Sequence, residues 1–338
     1  MEGGPVNYNG PPHCGHTRKD PMAQAVSPPL GEGGALELSD LRISAHRQRR
    51  ETLIMRTFQA AAVVSVVISA LIVASLIGRA LSFATEINPA DLGAGGWFPR
   101  RSLFGLPTIV TGSVIVAGIA MIVAAPLGLG AAIYLAEYAR PRVRKVIKPV
   151  LEILAGIPSV VVGVFALSWI SPQIIGRLSG DAGLFNMAAA GIGVGVLVTP
   201  LVASVAEDSF RAVPMSLREA SYGLGAKKRS TTTKIVFPAA ISGVVASIIL
   251  GVSRAIGETM VVLIVAGGTG GAEFTLNPFN AGQTMTGAMA ALARGSDQVR
   301  GADQAFPSLF FVGLLLFLIT LTLNVVSERY VRRVRQKY

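Results

Sequence analysis

Two charged residues, Arg254 and Glu258, lie inside an otherwise uncharged apolar segment at 235–266. On insertion scales, placing a charged side chain at the centre of a bilayer costs roughly 2.5–3.5 kcal/mol of free energy. Such residues therefore face the interior of a helix bundle or a water-filled pathway. A spacing of four residues predicts that both side chains lie on one face of one helix. Two interpretations stay open from the residues alone: a pair that contacts a charged solute, or a mutually neutralising pair that fixes helix packing.

A second candidate element is the polar, basic segment at 207–238, which separates two long apolar segments. Ser216 and Glu219 have the spacing of a capping box, in which each side chain accepts a hydrogen bond from the other residue's backbone amide. Gly223 and Gly225 follow, and glycine readily takes the left-handed conformation that ends a helix. The segment therefore predicts a short, capped helix with a sharp stop, a compact knob that can sit in a groove on a partner.

The elements that must position these residues are membrane helices. The chain has 338 residues, of which 51% are hydrophobic and only 14% charged, whereas soluble domains carry roughly a quarter charged residues. Apolar runs long enough to cross a bilayer, about 20 residues each, recur along it. We predict an all-α integral membrane protein with six spans, at 57–78, 108–136, 153–176, 184–206, 235–266 and 307–327.

Small residues and prolines within the spans predict local features. Pro126, Pro158 and Pro200 each remove a backbone hydrogen bond and predict kinks in the second, third and fourth spans. Gly191 and Gly195 form a Gly-x-x-x-Gly pair, which favours a tight contact with another helix.

The net charge of +11 is explained by its placement. The basic residues are concentrated at 42–56, 140–148, 227–234 and 329–337. With six spans, these four clusters all fall on one side of the membrane, and the loops on the other side are nearly balanced. This positive-inside pattern predicts that both termini are cytoplasmic. It also argues against nucleic acid as a partner, because topology accounts for the charge.

Residues 1–50 predict a disordered cytoplasmic N-terminal tail, since they are rich in proline, glycine and charge and lack apolar periodicity. His13, Cys14 and His16 lie there, but a structural metal site usually needs four ligands. We therefore predict no metal site and no cofactor. The single cysteine excludes an intrachain disulfide. The first apolar run lacks a convincing small-residue cleavage site and is predicted to be an uncleaved span.

The segment from Glu219 to Pro238 resembles the loop through which ABC importer permeases contact their ATPase. That loop has the pattern Glu-Ala-Ala, then Gly, then Ile-x-Leu-Pro. Ser221 and Phe237 replace the usual Ala and Leu. The resemblance implies a six-transmembrane-helix permease of the type I importer kind at 51–338, with a cytoplasmic coupling loop at 207–238. The residues assigned to ATPase coupling are Ser216, Glu219, Ala220, Gly225, Ile235 and Pro238.

The chain has no Gly-x-x-x-x-Gly-Lys-Ser/Thr loop that could bind nucleotide. ATP hydrolysis is therefore expected on a separate chain, and this chain is predicted to be a transporter subunit rather than an enzyme.

Further segments resemble phosphate-specific ABC permeases. These are Arg254-Ala-Ile-Gly-Glu-Thr-Met260, Ile133-Tyr-Leu-Ala-Glu-Tyr138 and Leu154-Ala-Gly-Ile-Pro-Ser-Val160. Met260 and the segment Gly282-Gln-Thr-Met-Thr-Gly-Ala-Met289 look more like the C-type subunit (PstC) than the A-type subunit (PstA). The resemblance covers roughly residues 50 to 335. It implies that Arg254 and Glu258 take part in phosphate passage.

The same resemblance implies a set of partners in the cell membrane. These are a PstA-type permease as heterodimer partner, two copies of a PstB-type ATPase and an extracytoplasmic PstS-type phosphate-binding protein.

The chemistry of the pair agrees with an oxyanion substrate. A guanidinium fork matches the paired oxygens of an oxyanion and stays charged in a poor solvent. Glu258 could accept a hydrogen bond from a protonated phosphate oxygen, and it would penalise sulfate, which has no such proton. Ser253 and Thr259 flank the pair and could add hydroxyl donors.

Three alternatives are weighed against a phosphate importer. A permease for molybdate or sulfate is disfavoured by the Arg-Ala-Ile-Gly-Glu-Thr segment. An integral membrane enzyme would need a catalytic constellation, whereas the three histidines of this chain all lie within the first 46 residues. A channel would not need the coupling loop.

Overall fold

The computed structural model describes residues 45–93, 95–268, 270–294 and 304–334. The chain divides into two units, Met1–Ser65 and Val66–Tyr338. Most of the predicted tail at 1–50, including His13, Cys14 and His16, lies outside the described residues. Residues 45–50 already belong to the first helix, α1 (Ala45–Glu86). The described part of the first unit is helical, with exposed side chains at 50–65.

The helices occupy most of the described chain. After α1 they are α2 (Pro89–Leu92), α3 (Leu106–Ile133), α4 (Pro141–Ala155), α5 (Ser159–Phe165), α6 (Gly176–Leu178), α7 (Met187–Arg211), α8 (Met215–Gly223), α9 (Lys228–Thr231), α10 (Phe237–Ile256), α11 (Met260–Val265), α12 (Met285–Ala293) and α13 (Ala305–Val334). The π-helical segments π1 (Tyr134–Tyr138), π2 (Ala166–Ile175) and π3 (Thr232–Val236) continue α3, α5 and α9.

Within the described residues, six helical runs are long and apolar enough to cross a membrane. They are Arg50–Glu86, Leu106–Tyr138, Ser159–Leu178, Met187–Arg211, Lys228–Ile256 and Ala305–Val331. The six predicted spans are thus confirmed, and the predicted helical fold class with them.

Two of the predicted spans are interrupted. In the third, α4 ends at Ala155 and α5 begins after Pro158, because proline disfavours the helical conformation of the residue before it. In the fifth, α10 ends at Ile256 and α11 begins at Met260. By contrast, Pro126 and Pro200 lie inside α3 and α7 without ending either helix.

The central packing in the second unit is between α3 and α7. A Cβ added at Gly191 would lie 2.6 Å from the Cβ of Ile119, and one at Gly195 would lie 2.8 Å from the carbonyl oxygen of Ala120. Only glycine permits so close an approach of two helices, which is the usual role of small residues in membrane helix pairs. The tight contact predicted for Gly191 and Gly195 is confirmed.

A small antiparallel sheet joins segments that the sequence did not predict to be extended. Its strands are β1 (Gly96–Phe98), β2 (Leu103–Phe104) and β3 (Ala272–Glu273), in the order β2-β1-β3. Trp97 and Phe104 are buried there against Phe83 of α1, with a Phe83–Phe104 ring-centroid distance of 5.2 Å. The sheet thereby fixes the chain that follows α1 to the chain that follows α11.

Candidate functional site

The charged pair lies at the break in the fifth span. Arg254 is in the last turn of α10, and Glu258 lies two residues beyond the end of that helix. The expectation that both residues share one helix is therefore wrong, because the chain leaves the helix at Gly257. The pair nevertheless forms, with Nη1 of Arg254 3.1 Å from Oε2 of Glu258.

The two partners differ sharply in exposure. The side chain of Glu258 is 3% exposed and that of Arg254 is 50% exposed. A guanidinium carries five N–H donors in a fixed fork, and the ion pair with Glu258 uses one of its terminal nitrogens. Within the described residues, the other donors of Arg254 are available on the exposed side of this side chain.

Glu258 is held from two sides. Its Oε1 accepts from the backbone amide of Met260 at 3.3 Å. Its carbonyl oxygen accepts from the hydroxyl of Thr286 at 2.7 Å. Thr286 lies in the first turn of α12, whose N-cap residue Thr284 accepts from the amide of Gly287. The break in the fifth span is thus anchored to the start of α12, a contact that sequence reasoning missed.

The two flanking hydroxyls are placed differently from each other. Ser253 donates to Oδ1 of Asn324 in α13 at 3.0 Å, so its proton is engaged away from the pair. Thr259 donates to the carbonyl oxygen of Gly257 within the break, at 3.3 Å. Arg254 and Glu258 are therefore brought together, Thr259 follows Glu258 within the break, and Ser253 connects α10 to α13.

Within the segment at 207–238, α8 is a short helix with a sharp stop. α8 ends at Gly223, and Gly225 has φ +78°. The amide of Gly225 donates to the carbonyl of Tyr222, and that of Ala226 donates to the carbonyl of Ser221. These two bonds form a Schellman motif, in which a left-handed residue turns the chain away and satisfies the last carbonyls. The predicted glycine stop is confirmed by this geometry.

The predicted capping box between Ser216 and Glu219 is wrong. The N-cap position is occupied by Pro214, and α8 begins at Met215 with no side-chain cap. An N-cap residue must have an extended conformation for its side chain to reach the following amides. Ser216 lies inside the first helical turn and is exposed, so it cannot act as the cap.

The remaining residues assigned to coupling lie on the surface or at its edge. Glu219 and Ala220 of α8 and Pro238 at the start of α10 are exposed, while Ile235 of π3 is half-buried. Leu224, at the turn, is 90% exposed. A leucine exposed to this degree at the tip of a turn is typical of a surface that a partner covers.

Ser221 replaces the usual alanine of the family pattern, and the structure gives it a role. Its hydroxyl lies 2.9 Å from that of Thr231, and both side chains are buried. This bond closes α8 onto α9, so the knob is internally fixed.

Two buried carboxylates were not singled out from the sequence. Glu207 is 1% exposed, accepts from Arg144 and lies 3.6 Å from Nζ of Lys148. Glu137 is 4% exposed and lies 2.9 Å from Nη2 of Arg218. Both acids lie at the end of an apolar run, and Glu137 also lies three residues before the basic cluster at 140–148; these are the signals that could have identified them.

Comparison with known proteins places the chain among transport permeases. Residues 124–337 match the family described as binding-protein-dependent transport system inner membrane component. The match spans more than half of the chain, so the chain belongs to this family of ABC importer permeases. It is a multi-pass membrane protein and a permease subunit of an ABC transporter complex, and an integral membrane enzyme is no longer an alternative.

Closer relatives define a narrower family. The phosphate transport system permease protein PstC of Pasteurella multocida is 31% identical over 309 residues, covering 85% of this chain and 93% of that protein. PstC 1 of Mycobacterium tuberculosis is 33% identical over 277 residues, covering 74% and 81%. The chain therefore belongs to the PstC family of permease proteins, as the sequence segments indicated. PstA 1 of Mycobacterium tuberculosis is 38% identical, but over 51% of this chain and 54% of that protein.

Solved structures confirm the fold. A chain in the crystal structure of a bacterial alginate ABC transporter, in complex with a periplasmic protein bound to an alginate pentasaccharide, matches with a TM-score of 0.58. The match covers 85% of this chain and 98% of that chain at 13% identity. At this identity the likeness concerns the fold alone, which is that of an ABC importer permease.

Proposed function

We propose that this chain is the C-type permease subunit of an ATP-driven importer that moves inorganic phosphate across the cell membrane. The observation that carries the proposal is the half-exposed guanidinium of Arg254, paired with the buried carboxylate of Glu258 at the break of an apolar span. A charge so placed, in a chain of the PstC family, is explained by a charged solute that passes it.

The geometry supports different roles for Arg254 and Glu258. Arg254 offers its free N–H donors to phosphate oxygens, and its planar fork suits two of them at once. Glu258 keeps Arg254 oriented and accepts a hydrogen bond from a protonated phosphate oxygen. A fully ionised oxyanion such as sulfate lacks that proton and meets an unpaired, repulsive carboxylate instead. Ser253 and Thr259 are the flanking hydroxyls assigned to the pathway.

A second permease subunit is part of the proposal. Lipid cannot cover a half-exposed guanidinium without a large desolvation penalty, so Arg254 requires a protein or an aqueous surface opposite it. A PstA-type permease fits this role as heterodimer partner. The proposed complex also contains two PstB-type ATPase subunits, one of which would bind the knob formed by α8 and its turn. A PstS-type binding protein would deliver phosphate from outside.

The proposed topology follows from the basic clusters. Both termini are cytoplasmic, residues 1–50 are a cytoplasmic tail, and the permease domain extends from 51 to 338 with its coupling loop at 207–238. The membrane is the cell membrane, and the loop that contains Asp181 lies outside.

Cysteine labelling tests this topology. In a variant that lacks Cys14, Asp181→Cys is expected to react with an impermeant thiol reagent added to intact cells, because Asp181 is exposed in an outer loop. Lys228→Cys, exposed at the start of α9, is expected to react only after the membrane is permeabilised. Labelling that occurs in the opposite order would overturn the orientation.

Transport itself is tested in cells that lack their own high-affinity phosphate importer. Radiolabelled phosphate uptake is expected when this chain is produced with the ATPase, the second permease and the binding protein, and not when this chain is omitted. Excess unlabelled phosphate should compete, and excess sulfate or molybdate should not. Uptake that sulfate or molybdate suppresses equally well would favour the broader oxyanion permease.

A further inference from the structure

Arg218 of α8 makes a set of contacts that the proposed function does not yet use. Its guanidinium donates to Oε1 of Glu137 from Nη2 at 2.9 Å and from Nε at 3.3 Å. It also donates to the carbonyl oxygens of Phe210, at 2.7 Å, and of Val213. The side chains of Arg218 and Glu137 are 13% and 4% exposed. One largely enclosed side chain thus connects α8 to π1 and to the end of α7.

The carboxylate of Glu137 and the backbone carbonyls at the end of α7 explain why a cation is stable at this position. Phe210 lies in the last turn of α7, where backbone carbonyls lack a full set of partners within the helix. The carbonyl end of a helix also carries partial negative charge, which favours a cation. Arg218 therefore neutralises a buried carboxylate and satisfies a helix end with the same planar group.

α8 also contacts the membrane spans through the apolar side chain of Leu217. Leu217 packs against a cluster formed by Phe210, Val213, Val236 and Ala240, among others. Apolar packing is non-directional, so it holds α8 down without fixing its rotation. The charge-assisted hydrogen bonds of Arg218 are directional and fix both position and rotation.

A neighbouring contact reinforces the same connection. Nζ of Lys228, at the start of α9, lies 5.1 Å from the ring centroid of Tyr138 at the end of π1. Ser221 and Thr231 bind α8 to α9, and both of these helices contact π1, α8 through Arg218 and α9 through Lys228. The outward face of α8, by contrast, carries the exposed Glu219.

We infer that Arg218 is a positioning residue that links α8 to the second and fourth membrane spans, through Glu137 and through the carbonyl end of α7. The inference rests on the proposed contact between α8 and the ATPase. When the ATPase displaces α8, the link makes α3–π1 and α7 move with it. Without the link, α8 stays attached to α9 through Ser221 and Thr231, but only apolar packing connects it to the end of α7, and the displacement does not reach α3–π1 and α7.

The test compares ATP hydrolysis with phosphate uptake in the same preparation. The complete transporter is reconstituted in liposomes with the binding protein, and uptake per ATP hydrolysed is measured. The main variant replaces both partners, Arg218→Met with Glu137→Leu, because removing one alone would leave a buried, unpaired charge. This variant is expected to retain the ATPase and to hydrolyse ATP, while uptake per ATP falls about tenfold, as for the loss of an ordinary coupling free energy.

Two further variants sharpen the result. Arg218→Lys keeps the charge but cannot reproduce the fork, so an intermediate loss of uptake per ATP is expected. Arg142→Met removes an exposed arginine from α4 and is the matched control, with wild-type uptake per ATP. If the double variant does not assemble, Arg218→Lys decides the question.

The outcomes separate this inference from the proposed function. Wild-type uptake per ATP in the double variant or, if that fails to assemble, in Arg218→Lys, would overturn the link. Hydrolysis and uptake that fall in equal proportion would also overturn it, because the pair would then serve assembly alone. A wild-type chain that fails to copurify the ATPase or to import phosphate would instead refute the proposed function.

Discussion

Arg254→Gln is expected to abolish phosphate uptake while the protein remains inserted in the membrane. The substitution removes the cation whose unpaired donors lie on the open side of the fifth span, and it leaves Glu258 buried with a neutral partner. Truncation of one member of a buried, hydrogen-bonded charge pair costs about 2–5 kcal/mol. Because every 1.4 kcal/mol is a factor of about ten, uptake is expected to fall about 30-fold or more. Radiolabelled phosphate uptake, normalised to membrane-inserted protein, measures the effect.

The companion variants separate transport from packing. If the pair only neutralised itself, Arg254→Gln combined with Glu258→Gln would restore uptake, since an uncharged helix inserts more easily. If Arg254 contacts the anion, the double variant stays inactive, and Arg254→Lys is also strongly impaired because a point charge does not replace the fork. Full recovery in the double variant would leave the pair a structural neutralisation.

Two single variants complete the comparison. Glu258→Gln is expected to have a weaker effect than Arg254→Gln, because the amide still offers an acceptor to the backbone amide of Met260. Arg177→Gln is the matched control, since Arg177 lies in α6 at the end of the third helical run and donates to Gln173 at an exposed site.

The sequence predicted the parts of this fold that local pattern determines. Long uncharged runs identified the six spans, and the spacing of Gly191 and Gly195 identified a close helix contact, because both follow from periodicity within one segment. The glycine stop after α8 was predictable for the same reason. A left-handed residue is needed there, and Gly225 supplies it.

The parts that were missed depend on long-range contacts or on competition between local preferences. The break after Gly257 is stabilised by the bond from Thr286 to Glu258, 28 residues away, and the contact between Arg218 and Glu137 spans 81 residues. Neither is visible in periodicity. The capping-box prediction failed because Pro214 is the N-cap residue and α8 begins at Met215, which places Ser216 inside the first turn. The proline and the serine are both favourable at a helix start, and the helix begins at the proline.

Replacing Gly225 or Glu219 is expected to uncouple the permease from the ATPase while the protein remains in the membrane. Gly225 has φ +78°, and a side chain there would meet no atom within 4 Å. The cost of Gly225→Val is therefore in the backbone, about 1–2 kcal/mol for a residue forced into the left-handed region, with more for a β-branched side chain. The turn that follows α8 would distort, while the membrane spans stay folded. Uptake is expected to fall strongly, together with copurification of the ATPase.

Gly225→Asn and Glu219→Lys show whether the backbone or the partner is responsible. Asparagine tolerates the left-handed conformation, so Gly225→Asn is expected to keep most uptake if the Schellman turn alone is required. A loss equal to that of the valine variant would mean that the ATPase fits closely against this position.

Glu219 is exposed and makes no side-chain hydrogen bond among the described residues. Glu219→Lys therefore acts through the partner and is expected to reduce ATPase copurification without changing membrane insertion. Normal uptake in both Gly225→Val and Glu219→Lys would reject the assignment of this loop, because neither the shape of the knob nor its charge would then matter to the ATPase.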